Sequence, residues 1–441
     1  LLGGVVRGVV ESIQVHADIM IDAEAALSKV RRRLLPFLFT LYIVAYLDRI
    51  NVGFAALQMN REIGLSQAAF GFGAGIFFLG YFIFEIPSNL LLRRVGARRW
   101  IARIMVSWGV TASAMMFVRG AASFYVLRFM LGLAEAGFFP GIIYYLTFWF
   151  PHRERARAIA WFMTATSVAG VIAGPLSGAL LTLHGIGGLS GWQWMFLLEG
   201  VPAVVMGIAV WRGLPDRPAE AMWLTPSERD ALMAILDADS SARKLAPADL
   251  SRALLSGRVW TLTLFYFLFA FGLYGISFWL PQILKGFGTM SVLAVGFAST
   301  IPFAAGGVAM VLVGRSSDRL DERRIHLALC AVTGAVGFFA AAYARGPVLE
   351  LACITVAAAG TSACVGPFWA IPAGMLTEAA AAGGIALINS VGNLGGFVGP
   401  YLAGFLVERT DNFATALLAM GTALALASVV TLAVDNQIQS T

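Results

Sequence analysis

Tyr42-Ile43-Val44-Ala45-Tyr46-Leu47-Asp48-Arg49-Ile50-Asn51 sets an acid and a base side by side within an otherwise apolar run. The run, Leu34–Ala56, is long enough to cross a bilayer, which takes about 20 apolar residues. An ionised side chain at the bilayer centre costs roughly 2.5–3.5 kcal/mol on insertion scales, so two together require answering charges or a water-filled cavity. Outward from this stretch, Phe124-Tyr125-Val126-Leu127-Arg128-Phe129-Met130-Leu131-Gly132-Leu133-Ala134-Glu135 supplies them. Arg128 and Glu135 stand two helical turns apart, hence on one face.

The rest of the chain has the same character. Of its 441 residues, 59% are hydrophobic and 13% charged, a balance that excludes a soluble protein of this size. Apolar runs of spanning length recur about a dozen times, from Leu34–Ala56 to Ala414–Val434, which predicts an all-α integral membrane protein and excludes a porin-type barrel. Cys330, Cys353 and Cys364 lack metal-ligand spacing and read as packing residues.

The net charge of +6 does not point to nucleic acid, because basic residues gather in alternate loops: Arg31 to Arg33, Arg93 to Arg99, Arg153 to Arg157, the long central loop, and Arg315 to Arg324. This positive-inside bias predicts cytoplasmic termini. Residues 1–30 lack the pattern of a signal peptide and are expected to form a cytoplasmic extension, poorly ordered or lying on the surface. The polar stretch 213–257 divides six spans in 31–212 from six in 258–434, and 435–441 is a tail. Within the linker, Thr225-Pro226-Ser227-Glu228 predicts a capped helix start.

An internal repeat supports the division. Asn89-Leu90-Leu91-Leu92-Arg93-Arg94-Val95-Gly96-Ala97-Arg98-Arg99 is echoed by Gly314-Arg315-Ser316-Ser317-Asp318-Arg319-Leu320-Asp321-Glu322-Arg323-Arg324, at an offset of about 225 residues. At that offset Gly170, Gly174 and Pro175 meet Gly395, Gly399 and Pro400. Two pseudo-symmetric six-helix halves facing each other are a transporter plan.

The doubled basic-loop motif, the twelve spans and the central loop resemble the major facilitator superfamily. Tyr46-Leu47-Asp48-Arg49, Glu85-Ile86-Pro87-Ser88-Asn89, the Arg128-to-Glu135 segment with Gly137-Phe138-Phe139-Pro140, and Glu199-Gly200-Val201-Pro202 resemble its anion:cation symporter family. The resemblance implies a monomeric carrier of the bacterial cytoplasmic (inner) membrane that takes up a small organic carboxylate with protons by alternating access, without a cofactor. It also implies that Arg49 engages the carboxylate while Asp48 and Glu135 take protons. In the loop motif Asn89 stands where the superfamily has Gly and Arg93 where it has Asp, so Arg94, Gly96, Asp318 and Arg319 are the gating candidates and Asp318 the acid of any clasp.

Helical geometry adds detail. Tyr42, Tyr46 and Arg49 share a face, whereas Asp48 points about 100° away. Arg49 is therefore expected to face the central cavity with both tyrosines and to lie within reach of Glu135, and Tyr81 is a further substrate-binding candidate. Asp48 is expected to turn toward span four and pair with Arg128. At the repeat offset Arg49, Arg128 and Glu135 correspond to Tyr274, Cys353 and Gly360, so the charge machinery was not duplicated. The second half is expected to contact the body of the substrate through Tyr274, Trp279, Trp369, Asn389 and Asn393, with the aromatics favouring a ring or short apolar body. Thr164, Thr166 and Ser167 are candidate hydroxyls. An intramembrane enzyme is disfavoured, because His16, His152, His184 and His326 lie at or outside span ends. An exporter of the same fold and a non-transporting receptor are the remaining alternatives.

Overall fold

The structure, a computed structural model, describes residues 2–241, 256–288, 290–375 and 378–432. The tail 435–441 and the linker stretch 242–255 lie outside the described residues. Twelve helices among the described residues are long and apolar enough to cross a membrane. In order they are Asp18–Glu62, Gln67–Val95, Ala97–Phe117, Ala121–Leu146, Arg157–Leu181 and Gly191–Gly213 in the first half. Gly257–Gly286, Val292–Leu320, Arg324–Tyr343, Pro347–Pro372, Leu387–Thr410 and Phe413–Leu432 form the second. They are called spans one to twelve below.

Local sequence explains where several of these helices start. Ser66 and Ser291 cap spans two and eight, accepting hydrogen bonds from the Ala69 and Ala294 amides at 3.2 and 3.1 Å. Ser190 and Gln193 form a reciprocal box at the start of span six. Each side-chain oxygen satisfies an amide that a helix start otherwise leaves without a partner.

The halves meet through spans two and eleven and through spans five and eight. These contacts are close because small residues stand in them. Gly174 and Gly296 pack backbone to backbone between spans five and eight, and Gly71 lies against the Pro400 carbonyl between spans two and eleven. A Cβ at any of these glycines would overlap the facing backbone. The Ala68 amide also donates to Glu408 across the halves, at 2.7 Å. All these contacts lie toward the end of the bundle remote from the termini.

For residues 23–30 the expectation of a poorly ordered or surface-lying arm is corrected. Helix Leu2–Glu62 is continuous from the arm into span one. Ala23, Ala26, Leu27 and Val30 are buried, and Lys29 bonds to Glu228 of the linker helix Pro226–Ser241 at 2.8 Å. The linker helix begins at the anticipated cap: the Thr225 amide donates to Glu228 Oε2 at 2.9 Å, and the Glu228 amide donates to Thr225 Oγ1 at 3.3 Å. The partner of the arm, a helix about 200 residues later in the chain, left no mark in the arm's own sequence.

Candidate functional site

Span four breaks at its functional residue. Helix Ala121–Glu135 ends at Glu135, and a second helix, Phe138–Leu146, resumes after Gly137, whose φ of 86° lies in the left-handed region. The Ala136 carbonyl freed by the break accepts from Ser88 Oγ at 2.7 Å, and Trp100 Nε1 donates to the same hydroxyl at 2.9 Å. A discontinuous helix held this way presents Glu135 at a fixed point inside the bundle.

Arg49 meets Glu135 there. Its Nη2 donates to Glu135 Oε1 in a direct ion pair, and its Nη1 donates to the Tyr274 hydroxyl of the second half at 3.3 Å. Its Cζ stands 5.5 Å from the Phe77 ring and 5.7 Å from the Tyr81 ring, while Nε has no partner. Tyr42 and Tyr46 are buried on the same span, Tyr42 stacked on Phe162 at 4.5 Å. The expected approach of Glu135 to Arg49 is therefore present, and Tyr81 and Tyr274 stand beside the pair at the junction of the halves.

The expected pair of Asp48 with Arg128 is absent. Asp48 Oδ2 accepts from Trp108 Nε1 of span three at 2.9 Å, and its Oδ1 lies 3.5 Å from the Asn51 amide nitrogen. Arg128 instead donates to the Gly73 and Ala74 carbonyls of span two at 3.4 and 2.9 Å, with Phe77 and Phe278 rings 5.1 and 5.8 Å from its Cζ. Pointing about 100° from Arg49 takes Asp48 toward span three rather than span four. The small residues of span two leave backbone oxygens open to the guanidinium, which satisfies it without an acid. Asn51, one turn from Asp48, was a local signal for this arrangement; Trp108 offered none.

Beyond Tyr274, the second-half candidates make their contacts within the protein. Asn389 Nδ2 donates to Glu85 Oε1 at 2.6 Å and Ser390 Oγ donates to Glu85 Oε2 at 2.7 Å, so these residues tie span eleven to span two. Asn393 in turn donates to Asn389 Oδ1 at 3.3 Å. Trp279 is fully buried, donates to the Pro400 carbonyl at 3.1 Å and packs edge-on against Phe70. Trp369 packs against Tyr266 and Phe368, each at 5.2 Å. In this arrangement both tryptophans pack against neighbouring rings, and Asn389, braced by Asn393, holds a first-half acid. Thr164 and Thr166 return their hydroxyls to the Trp161 and Met163 carbonyls at 2.6 and 2.8 Å, the internal satisfaction that helices offer such residues.

At the loop motif Gly96 adopts φ 96° after span two, and Arg94 and Arg319 are exposed. Asp318 accepts from Arg323 at 2.5 Å, a residue of its own loop, so the acid braces the turn between spans eight and nine. Cys330, Cys353 and Cys364 are free thiols.

Twelve spans in two halves, with an ion pair at their junction and a broken helix carrying one partner, have the build of a multi-pass membrane transporter. The sequence model of the Major Facilitator Superfamily matches residues 38–290 and 284–439, and the chain belongs to that superfamily. It is 48% identical to a putative tartrate transporter of Agrobacterium vitis over 93% of this chain and 92% of that one. It is 44% identical to a quinolone resistance transporter of Acinetobacter baumannii, covering 87% and 89%. With the putative metabolite transport protein NicT of Pseudomonas putida it shares 41%, covering 91% and 93%. Among solved structures, a bacterial homologue of the lysosomal transporter Spinster, inward-facing and unoccupied, superposes with a TM-score of 0.72 at 17% identity over 92% of this chain and 95% of that one. The inward-open xylose transporter XylE of Escherichia coli gives 0.67 at 15%, covering 89% and 95%. At these identities the structural likeness speaks to fold alone.

Proposed function

We propose that the chain is a proton-coupled symporter that takes up a small organic carboxylate across the bacterial inner membrane, with both termini in the cytoplasm. The observation that carries this reading is the buried Arg49–Glu135 pair at the junction of the halves, with Tyr274 on its far side. With Glu135 ionised, Arg49 has a resident counter-ion. A proton on Glu135 leaves the guanidinium unpaired in a low-dielectric site, and an incoming carboxylate becomes its best partner. The planar fork of arginine grips a carboxylate through two parallel bonds. Loss of the proton on the other side returns Glu135 to Arg49 and expels the anion. Tyr274 makes the exchange sensible to the second half, because its hydroxyl must move when Arg49 does.

The 48% identity to a putative tartrate transporter supports a small organic acid, and Trp279, buried against Pro400 and Phe70, gives no support to an aromatic one. A second reading, export of a drug or metabolite, draws on the 44% identity to a quinolone resistance transporter. Uptake of labelled tartrate into proteoliposomes under an inward proton gradient tests the first. Accumulation that collapses on addition of a protonophore supports it, whereas uptake indifferent to the gradient overturns the coupling. Glu135→Gln is expected to keep counterflow exchange while losing gradient-driven accumulation, because the amide imitates the protonated acid.

A further inference from the structure

A cavity of about 400 Å³ opens where span one, the end of span six and the approach to the linker helix meet, on the side of the termini. Small-molecule sites occupy roughly 300–1,000 Å³. Its walls are of two kinds. Leu34, Phe37, Leu214 and Pro215 are apolar, whereas Arg33 and Trp223 supply a cation and an indole. Gly213 completes the lining, and a Cβ there would meet nothing within 4 Å.

Arg33 is held in place there without being neutralised. Its Cζ stands 5.5 Å from the Trp223 ring, which in turn stacks on the buried Trp149 at 5.8 Å. Among the described residues no acid pairs with Arg33, because the neighbouring acids are engaged elsewhere. Glu24 and Glu154 take Arg31, and Glu228 takes Lys29. Beyond Pro215, Asp216 accepts from the Arg98 amide at 2.7 Å and Glu220 accepts from the Asp216 amide at 3.1 Å. A guanidinium fixed against an aromatic ring, with its acids committed to other groups, is a site for an anion.

The surroundings say which kind of anion. Val205, Ile208 and Trp211 are exposed on one side of span six, as residues that face lipid chains are, and the exposed Arg212 follows in the last turn. An exposed tryptophan next to an arginine at a span end marks the level of the lipid headgroups. On the adjoining side of the same helix Ala209 and Gly213 line the cavity, so it lies at that level. A soluble anion would use Arg33 and leave Phe37 and Leu214 without a partner; a lipid uses both walls. We infer that this cavity binds an anionic phospholipid from the leaflet on the side of the termini, with its phosphate on Arg33 and a chain along Leu34, Phe37 and Leu214. In the orientation proposed above that leaflet is the cytoplasmic one. The site does not depend on the coupling mechanism.

Native mass spectrometry of the purified full-length protein tests this, in detergent micelles titrated with phosphatidylglycerol, phosphatidylcholine or glycerol phosphate. Wild type is expected to bind its first phosphatidylglycerol several-fold more tightly than phosphatidylcholine, and more tightly than glycerol phosphate. Arg33→Gln is expected to weaken phosphatidylglycerol about fivefold, the factor that one basic group near an anionic lipid surface represents, and to leave phosphatidylcholine unchanged. Gly213→Leu keeps every charge and fills the cavity, and it is expected to weaken phosphatidylglycerol as well. Its melting temperature in lipid-free detergent should match wild type, since a side chain at that position has room. Equal binding of the two lipids by wild type overturns the proposal without recourse to a variant. So does wild-type affinity for phosphatidylglycerol in both variants. Weakening in Arg33→Gln alone would assign the lipid to the exposed arginine and not to the cavity. Glycerol phosphate bound as tightly as phosphatidylglycerol would make the ligand a soluble anion.

Discussion

Arg49 divides its guanidinium between an acid of its own half and a hydroxyl of the other, and leaves Nε free. Arg49→Lys keeps the charge and loses the fork, so tartrate uptake in proteoliposomes is expected to fall by more than about tenfold, the factor that 1.4 kcal/mol represents. Uptake at the wild-type rate would remove Arg49 from the site. Gly137 matters for a different reason. A Cβ there is strained by the backbone angle and would overlap Ser88, whose hydroxyl is pinned between Trp100 and the Ala136 carbonyl. Gly137→Ala is expected to cost about 1–3 kcal/mol, read as a lower melting temperature in detergent, and to impair transport by displacing Glu135. Of these residues, Arg49 and Glu135 were legible because charges in apolar runs have few explanations. The Asp48–Trp108 contact was not, since an indole in span three carries no mark of the acid it will meet.

At the scale of elements, the helix that leads into span one also clamps the linker. Lys29 and the Thr225 backbone amide hold the Glu228 carboxyl below the ordinary glutamate range, the lysine contributing most. A group with a lowered folded pKa contributes stability above its unfolded pKa and loses it as pH falls through the folded value. Thermal unfolding of wild type and Glu228→Gln should therefore differ at neutral pH, with the variant less stable, and converge as pH falls below the carboxylate range. A difference that persists in acid would show that Glu228 acts through packing rather than charge. The capped start of this helix was visible in Thr225-Pro226-Ser227-Glu228, because capping is local chemistry. Its docking onto the arm depends on two segments distant in sequence, and no local pattern reports that.

For the whole molecule, the contacts between halves decide which states are populated. Glu85, Asn389 and Ser390 form a buried link from span two to span eleven, nearer the termini than the close packing of Gly71 with Pro400. Alternating access requires the halves to rock about such contacts, and a link present in one state biases the equilibrium toward it. Asn389→Ala is expected to shift the distance distribution between spin labels on the two halves, measured without substrate, and to leave the fold intact. An unchanged distribution would make the link a passive one.

Chain composition, the positions of charge among apolar runs and the repeat at about 225 residues determined by themselves a twelve-span protein in two halves with Arg49 and Glu135 at its centre. These properties follow from the bilayer, which penalises charge and leaves an apolar run of about 20 residues only the helix in which to satisfy its backbone. Only tertiary structure decided who answers whom: Asp48 to Trp108, Arg128 to backbone carbonyls, Asn389 to Glu85. Inside the bundle many groups compete for each donor and acceptor, and the winner is set by helix rotation and close approach, quantities that belong to the packed molecule.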